Sequence, residues 1–147
     1  MTKFERLIPT ESEEQQALFR FCAVEMQRYP DLDMLVHTPN EGKRSTSTGG
    51  RMKKEGLRKG FPDISLCAPH CGYAGLYIEL KRIKGSKISK EQKDWITKLN
   101  EHQYAAVFCF GWEEAWKIIK AYLENKRSIV GTAVNESLIK AKKGVEE

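Results

Sequence analysis

The stretch that decides the fold runs from Gly60 to Lys81. It reads Gly60-Phe61-Pro62-Asp63-Ile64-Ser65-Leu66-Cys67, then Ala68-Pro69-His70-Cys71-Gly72-Tyr73-Ala74-Gly75, then Leu76-Tyr77-Ile78-Glu79-Leu80-Lys81. Asp63 to Cys67 and Leu76 to Lys81 are strand candidates, and the turn-rich segment between them is short enough to make an antiparallel pair. Side chains alternate across a strand, so Glu79 and Lys81 share one face while Ile78 and Leu80 turn to the other, toward a core. Pairing brings Asp63 toward Glu79. Two carboxylates converging beside a lysine make a hard-oxygen cation site suited to Mg2+ or Mn2+. The same residues also fit a surface ion pair on an edge strand, which contributes little stability.

On the N-terminal side, Thr10 and Glu13 have the spacing of a capping box, and Leu18, Phe21, Cys22 and Met26 follow at helical intervals before Pro30. This predicts a helix over about Glu11 to Arg28. Met34 to Thr38 reads as a short strand, and the Gly-rich segment from Asn40 to Gly60 as a loop with a helical turn near Arg51 to Glu55. On the C-terminal side, Ser89 and Gln92 repeat the capping-box spacing and start a helix that runs to about His102. Tyr104 to Phe110 is a buried strand, and Glu113 to Asn125 a helix. In the tail after Arg127, Glu136 to Lys142 is a candidate for one more helix. The order predicts an α/β fold, a mixed β-sheet flanked by helices, in one domain over residues 1–127 with a C-terminal tail over 128–147.

The 147 residues suffice for one real core, and 25 Lys+Arg against 20 Asp+Glu give a net charge of +5, which favours a polyanionic partner. No apolar run approaches a membrane span and the N-terminus lacks the apolar core of a secretory signal, so a cytoplasmic location is expected. Cys22, Cys67, Cys71 and Cys109 are too scattered for a disulfide framework. Cys67, His70 and Cys71 supply three zinc-type ligands where a structural site needs four, so a strand end followed by a turn is the expected reading there.

The loop from Lys43 to Lys59 carries Lys43, Arg44, Arg51, Lys53, Lys54, Arg58 and Lys59 against the single acid Glu55. Beside the Pro62-Asp63 strand this cluster suits phosphate contacts that fix register on DNA without reading sequence, with Lys84, Lys87 and Lys90 extending the path. A solvated loop is the alternative. His37 stands at a strand end, where a structural hydrogen bond is the simpler role. Trp95, Trp112 and Trp116 occupy helical apolar positions and are expected in the core.

Pro62-Asp63 followed sixteen residues later by Glu79-Leu80-Lys81 resembles the signature of the PD-(D/E)XK nuclease superfamily, with its restriction-endonuclease-like core. The surrounding sequence is similar to the stand-alone VRR-NUC branch, the virus-type replication-repair nucleases. The matching stretches are Thr10-Glu11 with Gln15, His37-Thr38-Pro39-Asn40 with Gly42-Lys43-Arg44-Ser45, Gly56 through Asp63, Gly75 through Lys81, Ser89 with Glu91-Gln92 and Trp95, and Gly111-Trp112-Glu113-Glu114-Ala115. Glu41 departs from the glycine expected between Asn40 and Gly42.

The resemblance implies a DNA endonuclease dependent on Mg2+ or Mn2+. Asp63, Glu79 and the Leu80 carbonyl would be metal ligands, and Lys81 would orient the attacking water. Glu11 matches the first-helix acid of the superfamily, with Glu14 as fallback. Gln92 matches a position facing the site and equally fits its capping role. The resemblance further implies branched substrates such as Holliday junctions and a homodimer. Two other readings stay open: a non-catalytic nucleic-acid-binding module, and a nuclease subunit directed by a replication or restriction partner.

Overall fold

The computed structural model describes residues 7–39 and 46–143, with backbone alone for 46–49. The elements are α1 (Glu11–Glu25), a 3-10 helix (Pro30–Met34), β1 (Leu35–His37), α2 (Thr46–Lys54), β2 (Ile64–Leu66), β3 (Leu76–Lys81), α3 (Lys90–Asn100), β4 (Ala105–Phe110), α4 (Trp112–Leu123) and α5 (Arg127–Lys143). The described strands form one sheet in the order β1-β2-β3-β4. β1/β2 and β2/β3 are antiparallel and β3/β4 is parallel, joined through α3, so the expected mixed α/β sheet is observed.

Both faces are covered. Ile78 and Leu80 of β3 with Val107 and Cys109 of β4 belong to a core that includes Leu18 and Cys22 of α1 and Ala115, Ile119 and Tyr122 of α4. On the opposite face Ala106 and Phe108 pack with Ile96 and Leu99 of α3 and Ala141 of α5. Fully burying an aliphatic side chain such as Ile78 or Leu80 stabilises the fold by about 1.5–3 kcal/mol. Glu79 and Lys81 therefore stand in the α3 layer, held there by the apolar residues that alternate with them.

Both capping boxes form. Thr10 Oγ1 accepts from the Glu13 N–H at 3.1 Å while the Glu13 carboxylate accepts from the Thr10 N–H. Ser89 and Gln92 do the same at α3. α2 extends over nine residues where sequence suggested one turn, and the expected first helix ends three residues early at Glu25. The region expected as a tail is, over Arg127–Lys143, a helix whose Val130 and Val134 are buried in the main core. Its Ser137 hydroxyl accepts from the Phe108 N–H at 3.0 Å and so satisfies one donor on the outer edge of β4.

Candidate active site

β2 and β3 pair only as far as Ile64 opposite Ile78, and beyond that point the strands part. Asp63 fills the gap: its Oδ2 accepts from the Leu80 N–H at 3.0 Å, where a ladder partner would otherwise sit. N–H and C=O of one strand residue point to the same edge, so the Leu80 carbonyl also faces the gap. The Asp63 carbonyl accepts from the Thr38 N–H at 2.7 Å and meets His37 Nδ1 at 3.0 Å, which clamps this residue to the end of β1. His37 thus has the structural hydrogen bond expected of it, while its ring also lines the cleft.

Glu79 and Lys81 are 3 % and 4 % exposed. Glu79 Oε1 accepts from Gln92 Nε2 at 2.6 Å and lies 3.8 Å from Lys81 Nζ. The same Gln92 amide oxygen accepts from the Ser89 N–H at 2.9 Å. Gln92 thus caps α3 through its amide oxygen and donates to Glu79 through its amide nitrogen. Lys81 Nζ donates to the Lys87 carbonyl at 2.9 Å and lies 3.8 Å from Glu11 Oε1. Among the candidates for a first-helix acid, Glu11 reaches the site. Glu14 turns away, is buried, and accepts from the Trp112 N–H at 3.2 Å. It faces the N-terminus of α4, whose N-cap Gly111 has no side chain to supply a cap.

Glu11, His37, Lys59, Asp63, Glu79 and Gln92 line a cleft of about 370 Å³, together with Lys87 and Ser89. Glu79 Oε2 is buried with no hydrogen-bond partner among the described residues. Burial, and after it the neighbouring Asp63 carboxylate, push the Glu79 carboxyl up to about 9. Burial also raises Asp63, opposed by the Leu80 N–H and reinforced by Glu11. Two desolvated carboxylates that repel one another, one with an unmet oxygen, are the electrostatic condition that a divalent cation relieves. Among the described residues no group of three or more His, Cys, Asp or Glu side chains gathers as a ready metal cage. The fit thus rests on two carboxylates and the Leu80 carbonyl.

A family model for the VRR-NUC domain matches residues 5–112, which takes in the whole of this cleft. The chain belongs to the VRR-NUC family. Its function is accordingly of the nuclease type. The chain is similar to a solved structure described as a VRR_NUC domain protein, at 26 % identity and a TM-score of 0.69, over 80 % of this chain and 90 % of that one. No curated protein sequence matches it significantly. No described helix is long and apolar enough to cross a membrane.

Other sequence candidates take varied places. Lys43 and Arg44 lie outside the described residues, while Arg51, Lys53 and Arg58 are exposed. Trp112 and Trp116 pack on Phe21 at 5.2 and 5.0 Å, and Trp95 on Phe61 at 5.0 Å, so all three serve aromatic packing. Sequence reasoning did not single out the Lys87 carbonyl under Lys81 or the apposition of Lys59-Gly60 to α3. Gly60 (φ +84°) comes so close to that helix that a Cβ there would meet the Glu91 backbone at 2.6 Å. The only signal for that contact is the glycine itself.

Proposed function

We propose that this VRR-NUC chain is a divalent-cation-dependent DNA endonuclease that hydrolyses phosphodiester bonds, selective for branched DNA such as four-way junctions and active as a homodimer. The observation that carries the chemistry is the convergence of Asp63 and Glu79 at one cleft, with Lys81 buried beside Glu79 and with Glu79 Oε2 unpaired. Asp63, Glu79 and the Leu80 carbonyl would hold Mg2+ or Mn2+. Such a cation acidifies water near neutral pH and offsets charge on the phosphate. Gln92 fixes the Glu79 carboxylate through Oε1 and leaves Oε2 free to ligate. Lys81, anchored by the Lys87 carbonyl, orients the attacking water and neutralises charge that builds on the phosphate oxygens, while Glu11 holds the ammonium from the solvent side. Arg51, Lys53 and Arg58, with Lys43 and Arg44, supply backbone phosphate contacts.

One chain offers one such centre, and resolving a junction requires paired cuts on two strands, so a twofold pair of chains is the economical arrangement. On α4, Ile119 is buried in the protein's own core, and Trp116 and Leu123 pack against that core while partly exposed. A purely binding module has no use for a buried carboxylate pair, and no observation favours it or a partner-directed subunit.

The test is cleavage of single-stranded, duplex, flap and four-way-junction DNA with Mg2+, Mn2+ or excess chelator, alongside light scattering. Cation-dependent cutting that favours the junction, by a dimer, is expected. Full cleavage in chelator overturns the catalytic reading, and a monomer that cuts plain duplex as readily as a junction overturns the substrate reading.

A further inference from the structure

The match to the family ends at residue 112, yet α5 returns from beyond it to the site's own face of the sheet. Phe110 of β4 stands opposite Lys81 in the parallel register, so the two side chains share one face. Lys140 Nζ lies over the Phe110 ring, 5.6 Å from its centroid. The next residue, Ala141, is buried in the apolar cluster that also takes in Ile88, the neighbour of the cleft residue Lys87. The last turn of α5 is thus seated one strand away from Lys81.

That turn is basic, carrying Lys140, Lys142 and Lys143. No carboxylate among the described residues pairs with Lys140 or Lys143. Lys143 lies three residues on from Lys140, on the same side of the helix. A cation held on an aromatic ring keeps its charge and its remaining hydrogen-bonding capacity toward the solvent. α5 packs along β4, the edge strand next to β3.

We infer that the C-terminal turn of α5, through Lys140 and Lys143, is a phosphate-binding surface beside the active-site cleft, gripping the DNA backbone across the end of β4. The assignment rests on the nuclease reading above. Backbone contacts there would help hold the strand near Asp63 and Glu79 while reading no sequence.

The experiment measures binding of the full chain to duplex and four-way-junction DNA by fluorescence anisotropy, in chelator, at several salt concentrations. The variants are Lys140→Gln/Lys143→Gln, the charge-preserving Lys140→Arg/Lys143→Arg, and the control Lys117→Gln on α4. For every phosphate that the protein no longer neutralises, the log–log salt slope should drop by about 0.9 on duplex DNA. The glutamine pair is expected to show that reduction, the arginine pair to keep the wild-type slope, and the control to leave it unchanged. Should the glutamine pair melt early, Lys143→Gln alone, which leaves the Phe110 ring covered by Lys140, is the readout and should lower the slope by the share of a single phosphate. A steep wild-type slope that the glutamine changes leave intact overturns this inference and spares the nuclease reading. So does a control that lowers the slope equally, because the effect is then net charge. A wild type with no salt-dependent binding removes both.

Discussion

Two clusters of titratable side chains sit at opposite ends of β2, and they differ in what they leave unmet. At the end beyond Leu66, His70 Nε2 meets Asp31 Oδ2 at 3.0 Å and its Nδ1 meets Asn125 Oδ1 at 3.3 Å. The Asn125 oxygen also accepts from the Cys71 N–H at 3.0 Å, and the Tyr122 hydroxyl donates to the Ala68 carbonyl while accepting from the His70 N–H. Each of these polar groups has a partner inside the protein. At the Asp63 end, two carboxylates face each other and Glu79 Oε2 has none. Glu14 Oε2 is also buried and unpaired, yet it serves the N-terminus of α4, so neither gathered titratable residues nor one unmet oxygen is the mark of function; two desolvated carboxylates facing each other in a cleft are. Cys67, His70 and Cys71 belong to the satisfied cluster's turn, with Cys67 exposed and Cys71 buried at φ 58°.

The largest expected effect separates the clusters by activity. Asp63→Asn, Glu79→Gln and Lys81→Met should each lower cleavage, the lysine change by on the order of 10²–10³-fold, while circular dichroism shows a folded protein. Asn125→Ala should do the reverse. It strips the acceptor from the Cys71 N–H and should cost roughly 1–3 kcal/mol, with cleavage per folded molecule retained. A folded Glu79→Gln protein that cuts at the wild-type rate would erase the distinction.

A second effect, intermediate in size, concerns pH in the absence of cations. The Glu79 carboxyl is raised by burial and by Asp63 from its ordinary 4.5 to about 9 in the folded chain. A carboxyl raised on folding contributes stability that is fully present below its unfolded value and lost as pH climbs through its folded one. In chelator, Tm should therefore fall steadily from about pH 5 to about pH 9. Glu79→Gln should flatten that fall and melt above the wild type at the alkaline end. Mn2+ should raise the wild-type Tm most at that same end, where the carboxylates are charged. A wild-type Tm independent of pH across this window would mean that the pair is not under electrostatic strain.

The sheet and most of its helices were legible because their signals are local. Leu76 to Lys81 alternates with period two, and Thr10/Glu13 and Ser89/Gln92 write two helix starts into four residues each. Glu79 beside Lys81 followed from the same alternation. The unread parts depend on residues far apart in the chain. Glu14 caps a helix 98 residues away, which no spacing within α1 announces. α5 was legible only over its final turns, because in its first half only Val130 and Val134 are buried, by packing that the local sequence does not announce. The Lys87 carbonyl beneath Lys81 is backbone, and the identity of residue 87 does not encode it.

The smallest expected effect tests how the helix cap and the cleft share one side chain. Ser89 Oγ accepts from the Gln92 N–H at 3.1 Å and serves the cap, whereas Gln92 both caps α3 and donates to Glu79. Ser89→Ala and Gln92→Ala each break the capping box. Losing the Ser89 side chain should cost about 1 kcal/mol of stability and little cleavage. Gln92→Ala should cost a similar amount of stability and in addition weaken the response to Mn2+, because Glu79 Oε1 loses the donor that keeps Oε2 turned to the cleft. The informative quantity is thus the difference between the two variants in half-saturating Mn2+ at matched folded fraction. If both need the same concentration, Gln92 is only a cap and Glu79 is held by burial and Lys81 alone; if Gln92→Ala needs more, the amide belongs to the site's positioning of its carboxylate.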